Sequence, residues 1–147
     1  MSFADGLFKH DSIPAIEQVL RFCHLRHRQI VNNIANVDTP HYRPKDLSVD
    51  EFQGALTRAL ASREPAPGRA RTGLPPLAGR NIRPSGGTFE VAPARSSHEG
   101  PMRHDGNTVS IEAEMSNLSK NALTQRVFTR LLVNRFQALR TAIRGRM

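Results

Sequence analysis

The sequence predicts an all-α protein in which long N- and C-terminal helices pack on one another as a coiled coil. Three observations carry that expectation. Apolar residues alternate at spacings of four and three from Ile16 to Val37, and again from Ile111 to Ile143. Between them, residues 62–106 are punctuated by Pro and Gly. Hydrophobic residues make up 38%, with no Trp and one Tyr, a composition thin for a large core and suited to helices that finish their burial against neighbours. The chain divides into an N-terminal helix, turn and short second helix (1–61), a flexible Pro/Gly/Arg-rich excursion with at most a small β element (62–106), and a C-terminal helix packing on the first (107–147).

In chain order, residues 1–12 read as a mobile arm with Phe3, Leu7 and Phe8 as a small apolar anchor. Ser12 and Pro14 mark a helix start, a capping type followed by proline in the first turn. The helix predicted from Ile13 to about Asn36 carries the stripe Ile16, Leu20, Cys23, His27, Ile30, Ile34 and Val37, widened by Val19 and Val31. Arg21, Arg26 and Arg28 fall largely off it. Pro40 stops the helix and pushes Thr39 out of helical geometry. Asn36 is a residue type that tolerates the left-handed conformation at a helix end, and Asp38 and Thr39 are suited to holding a turn. Ser48 and Glu51 form a capping-box pattern, bracketed by Leu47 and Phe52 in the staple positions. The second helix then runs to Ala61 with Val49, Phe52, Leu56 and Leu60 on one face. In the middle, only Thr88–Val91 resembles a strand, and Gly86-Gly87 is a turn. The last helix, predicted over Thr108–Ile143, has the stripe Ile111, Met115, Leu118, Ala122, Leu132, Phe136, Leu139 and Ile143, a second flank of Leu123, Val127, Phe128 and Leu131, and Gly145 as its stop.

The net charge is +8, and residues 107–147 hold seven basic and two acidic side chains. A basic balance suits nucleic acid, an anionic surface or an acidic partner. For nucleic acid, the arginines of the last helix do not interleave with exposed aromatics and no helix-turn-helix frame precedes them. Cys23, the one cysteine, sits in the apolar periodicity and reads as a buried structural thiol. Cys23, His24 and His27 tempt a zinc reading, but Cys23 and His24 point about 100° apart on a helix. His98, His104 and Asp105 read as solvated. No catalytic carboxylate pair or Ser-His frame is present, so neither an enzyme nor a cofactor is expected. No apolar run reaches the ~18 residues of a membrane span, and residues 1–12 lack the layout of a cleavable signal peptide.

Asn33-Ile34-Ala35-Asn36, followed by Asp38-Thr39-Pro40 and Tyr42, resembles the N-terminal signature of bacterial flagellar rod and hook proteins. Asp38, and Arg28 five residues before Asn33, point to the proximal part of the rod. Asp105-Gly106-Asn107-Thr108-Val109, with Ile111, Glu114, Met115 and Leu118, resembles the start of the C-terminal helix in the same family. The motifs cover about residues 13–60 and 105–145. His41 departs from the usual Gly, Val49 from a Phe and Gln125 from an aromatic. The resemblance implies a structural subunit exported by the flagellar type III apparatus without signal cleavage and assembled into the periplasmic rod. Its implied partners are further copies of itself, rod proteins of the FlgC, FlgF and FlgG types, FliE and the MS ring. The expected assembly interface is Ile16, Leu20, Ile30 and Ile34 against Met115, Leu118, Leu132, Phe136, Leu139 and Ile143, within or between subunits. The alternative is a basic helical nucleic-acid-binding protein.

Overall fold

The computed structural model describes residues 13–62, 74–97 and 99–145. The arm at 1–12, the Ser12 cap, the residues around Pro65 and Pro67, His98 and Arg146 lie outside the described residues. Within them are three helices, α1 (Ile13–Ala35), α2 (Val49–Ala61) and α3 (Ile111–Arg144), and four short strands, β1 (Lys45–Asp46), β2 (Ile82–Ser85), β3 (Thr88–Val91) and β4 (Ala94–Arg95). The fold is mostly helical.

Each helix boundary has a local cause. α1 ends in a tightened turn, with Asn36 N–H on the Asn33 carbonyl and Val37 N–H on that of Ile34. α2 begins where the Ser48 hydroxyl accepts from Glu51 N–H at 3.2 Å. The reciprocal half of the capping box does not form. The Glu51 carboxylate instead accepts from the Asn81 backbone N–H (2.6 Å) and side-chain amide (3.0 Å), tying α2 to the segment before β2. α3 starts three residues later than its periodicity suggests, because the Asn107 side-chain oxygen takes Val109 N–H at 2.7 Å and Ser110 is the cap. Gly145 closes it.

Residues 74–97 add two antiparallel ribbons. β2 and β3 pair from Ile82↔Val91 to Ser85↔Thr88, and β1 pairs with β4. Gly86 and Gly87 have φ of 51° and 81°, the two positive values that a tight two-residue hairpin requires. The turn and β3 follow the pattern of the sequence. β2 was hidden by Pro84, which sits in a two-stranded ribbon where a missing N–H is tolerated.

The hairpin exists to deliver Phe89, which is fully buried. Phe22 of α1 stacks on Phe52 of α2 with ring centroids 4.2 Å apart, and Phe52 meets Phe89 at 5.6 Å. Ala15, Ile16, Val19 and Cys23 of α1, with Leu47, Leu56, Leu77 and Ile82, complete this core, and Phe128, Leu131 and Leu132 of α3 lie against it. Phe22 was absent from the predicted stripe. The buried face of α1 is turned by about one residue, through Ala15, Val19, Phe22, Arg26, Ile30 and Asn33, and His27 is exposed. Arg26 therefore lies on the inner side rather than off it. It is tolerated there because its guanidinium grips Asp46 of β1 in a fork, at 3.0 and 2.8 Å.

Candidate functional site

Two places stand out: the junction where α1 ends and α3 begins, and the outer surface of α3.

At the junction the two sequence motifs are hydrogen-bonded to one another. Asn33 is fully buried. Its amide donates to the Lys45 carbonyl (2.7 Å) and to the Glu114 carboxylate of α3 (3.0 Å). Its carbonyl oxygen accepts from the Tyr42 hydroxyl (3.1 Å), Lys45 N–H (3.2 Å) and the Gln29 amide (3.2 Å). Burial and the negative charge of Glu114 both push the Tyr42 hydroxyl above its ordinary pKa, so it stays a donor at neutral pH. Asn107, also fully buried, performs the matching task from the other motif. Its amide reaches the carbonyls of Asn36 (3.0 Å), Val37 (3.0 Å) and Thr39 (2.8 Å) at and beyond the end of α1, which also accept from Thr39 N–H, the Arg103 guanidinium and Tyr42 N–H. His41 N–H donates to the Asp105 carbonyl and Thr108 N–H to that of Tyr42. Asp105 is thus part of the turn rather than solvated, with a carboxylate oxygen taking Asn107 N–H at 3.0 Å.

The turn is held differently from its sequence reading. Asn36 keeps ordinary backbone angles, and the left-handed residue is His41, with φ of 59°. That is the region a Gly occupies without strain. Gly106, at φ of 75°, faces it: a Cβ added to Gly106 would come within 2.5 Å of the His41 ring. Asp38 is exposed, with only the Arg103 guanidinium near it at 3.9 Å. Ala35, Thr39 and Pro40 are exposed as well, and Ile34, Asn36 and Tyr42 are half-buried.

From the junction α1 and α3 run antiparallel. Asn121 of α3 donates to the Cys23 carbonyl at 2.9 Å, and Phe128 and Leu131 reach the level of Ile16. The inner side of α3 in its first half is polar: Glu114, Asn117 and Asn121 are buried, spaced three and four apart. Sequence reasoning named Glu114 as part of the C-terminal motif but passed over Asn117 and Asn121, because it followed the apolar stripe one residue away. Cys23 faces the core, where burial raises its thiol pKa, while His24 and His27 face solvent.

The outer surface of α3 is the second place. Of the residues expected at an assembly interface, Ile16 and Ile30 are buried, and Leu20, Ile34, Leu118 and Leu132 are half-buried within the chain. Met115, Phe136, Leu139 and Ile143 are 51%, 49%, 50% and 67% exposed. Ile111, Leu123, Val127 and Val133 are exposed too. At 100° per residue these side chains spread over about 240° of the circumference of α3. Beside them run Arg126, Arg130, Arg140 and Arg144, all exposed and without an ion pair among the described residues.

No protein-family model matches the chain. Curated relatives match along nearly the whole of it. The flagellar basal body rod protein FlgB of Borrelia hermsii is 28% identical over 138 residues, covering 90% of this chain and 96% of the relative. FlgB of Cereibacter sphaeroides is 29% identical over 137 residues, covering 92% and 95%. Over nine-tenths of its length the chain is similar to the flagellar rod protein FlgB. FlgB of Bacillus subtilis extends the likeness at 24% identity over 134 residues, 91% of this chain and 94% of the relative. Matches of this length run through the middle of the chain, beyond the two motifs, so the FlgB likeness includes the segment that carries the hairpin. No helix among the described residues is long and apolar enough to cross a membrane.

Proposed function

We propose that the chain is a structural subunit of the bacterial flagellar basal-body rod and that it performs no catalytic step. The FlgB relatives support this reading, and nothing favours the nucleic-acid alternative. One observation carries it furthest: α3 bears large apolar side chains over about 240° of its circumference, and most are about half exposed or more. Exposed apolar side chains of this size and number mark a surface that a partner covers. In this chain that cover is incomplete, so neighbouring subunits must supply the rest. The terminal helices form the assembly layer, pairing as coiled coils within and between subunits. Further copies of itself, FlgC, FlgF and FlgG types, FliE and the MS ring are the neighbours consistent with a proximal position. The chain reaches the periplasm through the type III export apparatus without signal cleavage, and the rod then links the MS ring to the distal rod and hook.

The test is the double variant Phe136→Asp/Leu139→Asp in a strain lacking the native protein. Both side chains are half exposed, so the purified variant keeps the circular dichroism of the wild type. We expect normal synthesis, absence from purified basal bodies and loss of swimming. Wild-type swimming by this variant would refute the interface.

A further inference from the structure

Asn33 lies level with Glu114 and Cys23 with Asn121, and the two helices rise equally per residue, so α3 passes the level of Ile13 at about residues 131–134. Its last ten residues extend about 15 Å beyond it. On this stretch Phe136, Leu139 and Ile143 fall within about 60° of one another, and Arg140 and Arg144 lie along one edge within about the next 80°. All five are exposed.

We infer that this strip docks an amphipathic helix of a different chain, one that carries carboxylates beside its apolar stripe, rather than a second copy of this chain. The argument is charge complementarity. After Glu114, α3 has no acidic residue, so two copies laid side by side on this strip would place arginines against arginines. Nor do the described residues hold an acidic helix face to receive it. Glu17, Asp50 and Glu112 each stand alone on the exposed side of their helix, Asp46 is held by Arg26, Glu51 by Asn81, and Glu114 is buried. A membrane surface fits less well. Leu123 and Val127 lie on the side of α3 opposite to the strip, whereas a helix lying on lipid keeps its apolar residues on one face. The inference rests on the rod-subunit reading and adds the chemistry of one partner to it.

The experiment uses the full chain and two synthetic 21-residue helical peptides with the same Leu/Ile stripe, one flanked by Glu and one by Lys. Fluorescence anisotropy at low salt should show the Glu peptide binding about tenfold tighter than the Lys peptide, with the gap closing at high salt. Arg140→Glu/Arg144→Glu should reverse the preference without changing the circular dichroism. Equal binding of both peptides would overturn the inference. So would stronger binding to phosphatidylglycerol vesicles than to the Glu peptide, or self-association by sedimentation that buries the strip and is indifferent to the double substitution. In cells, recovery of the charge-reversed variant in basal bodies at wild-type level would also overturn it and leave the rod reading standing. Absence of the wild-type chain from basal bodies would refute the rod reading, while the peptide result would still decide the strip.

Discussion

The two ends of α3 are built on opposite plans. At its start, buried side chains are hydrogen-bonded across the join between the two motifs: Asn33 meets Glu114 and Tyr42, and Asn107 meets the carbonyls of Asn36 and Thr39, while the Thr108 hydroxyl is buried there without a partner among the described residues. At its finish, Phe136, Leu139, Ile143, Arg140 and Arg144 are all exposed. The first plan is one of geometry, since a buried amide accepts only partners at the right distance and angle. The second is one of incompleteness. A subunit that must join others in a set orientation benefits from both: a rigid elbow fixes the helix directions, and an unfinished surface supplies the affinity.

Substitutions at the elbow should separate the two plans most sharply. Asn107→Ala removes a fully buried side chain whose amide bonds three carbonyls at the end of α1 and whose oxygen takes Val109 N–H at the start of α3. We expect a loss of about 2–3 kcal/mol in urea unfolding; an unchanged midpoint would show the elbow to be dispensable. His41→Gly acts at the same turn with the opposite sign. It relieves a non-glycine residue at φ of 59° and should stabilise by about 1 kcal/mol, read as a raised Tm. The smallest effect belongs to the far end. Leu139→Ser removes an apolar side chain already 50% exposed and should shift the stability of the isolated chain by less than about 0.5 kcal/mol. A large loss there would mean that the second half of α3 is packed within its own chain.

Much of the architecture was legible because its causes are local. Ser48 before α2, Pro40 after α1, Gly86-Gly87 between β2 and β3, and the four-three spacing of both long helices each act over a few residues. The elbow was legible only as a resemblance. That Asn33 meets Glu114, or that Asn107 holds the carbonyls of Asn36 and Thr39, depends on partners some seventy to eighty positions away. No periodicity encodes such a pairing. Phe22 was missed for a related reason. Helix periodicity tolerates a rotation of one residue, and the choice between the faces of α1 was made by Phe52 and Phe89, which come from elsewhere in the chain. Arg26 reads as surface until Asp46 is placed beside it.

The antiparallel pairing of α1 with α3 also carries a consequence for timing. Its defining contacts join residues 81 and 98 positions apart, Asn33 with Glu114 and Cys23 with Asn121. Closing such large loops precedes any reward from the contacts they bring together, which slows folding. A chain emerging from the ribosome N-terminus first has nothing to close on until its final quarter is made. The elbow is therefore the last lock to engage, and the polypeptide passes most of its synthesis without the clasp that would hold its two ends together.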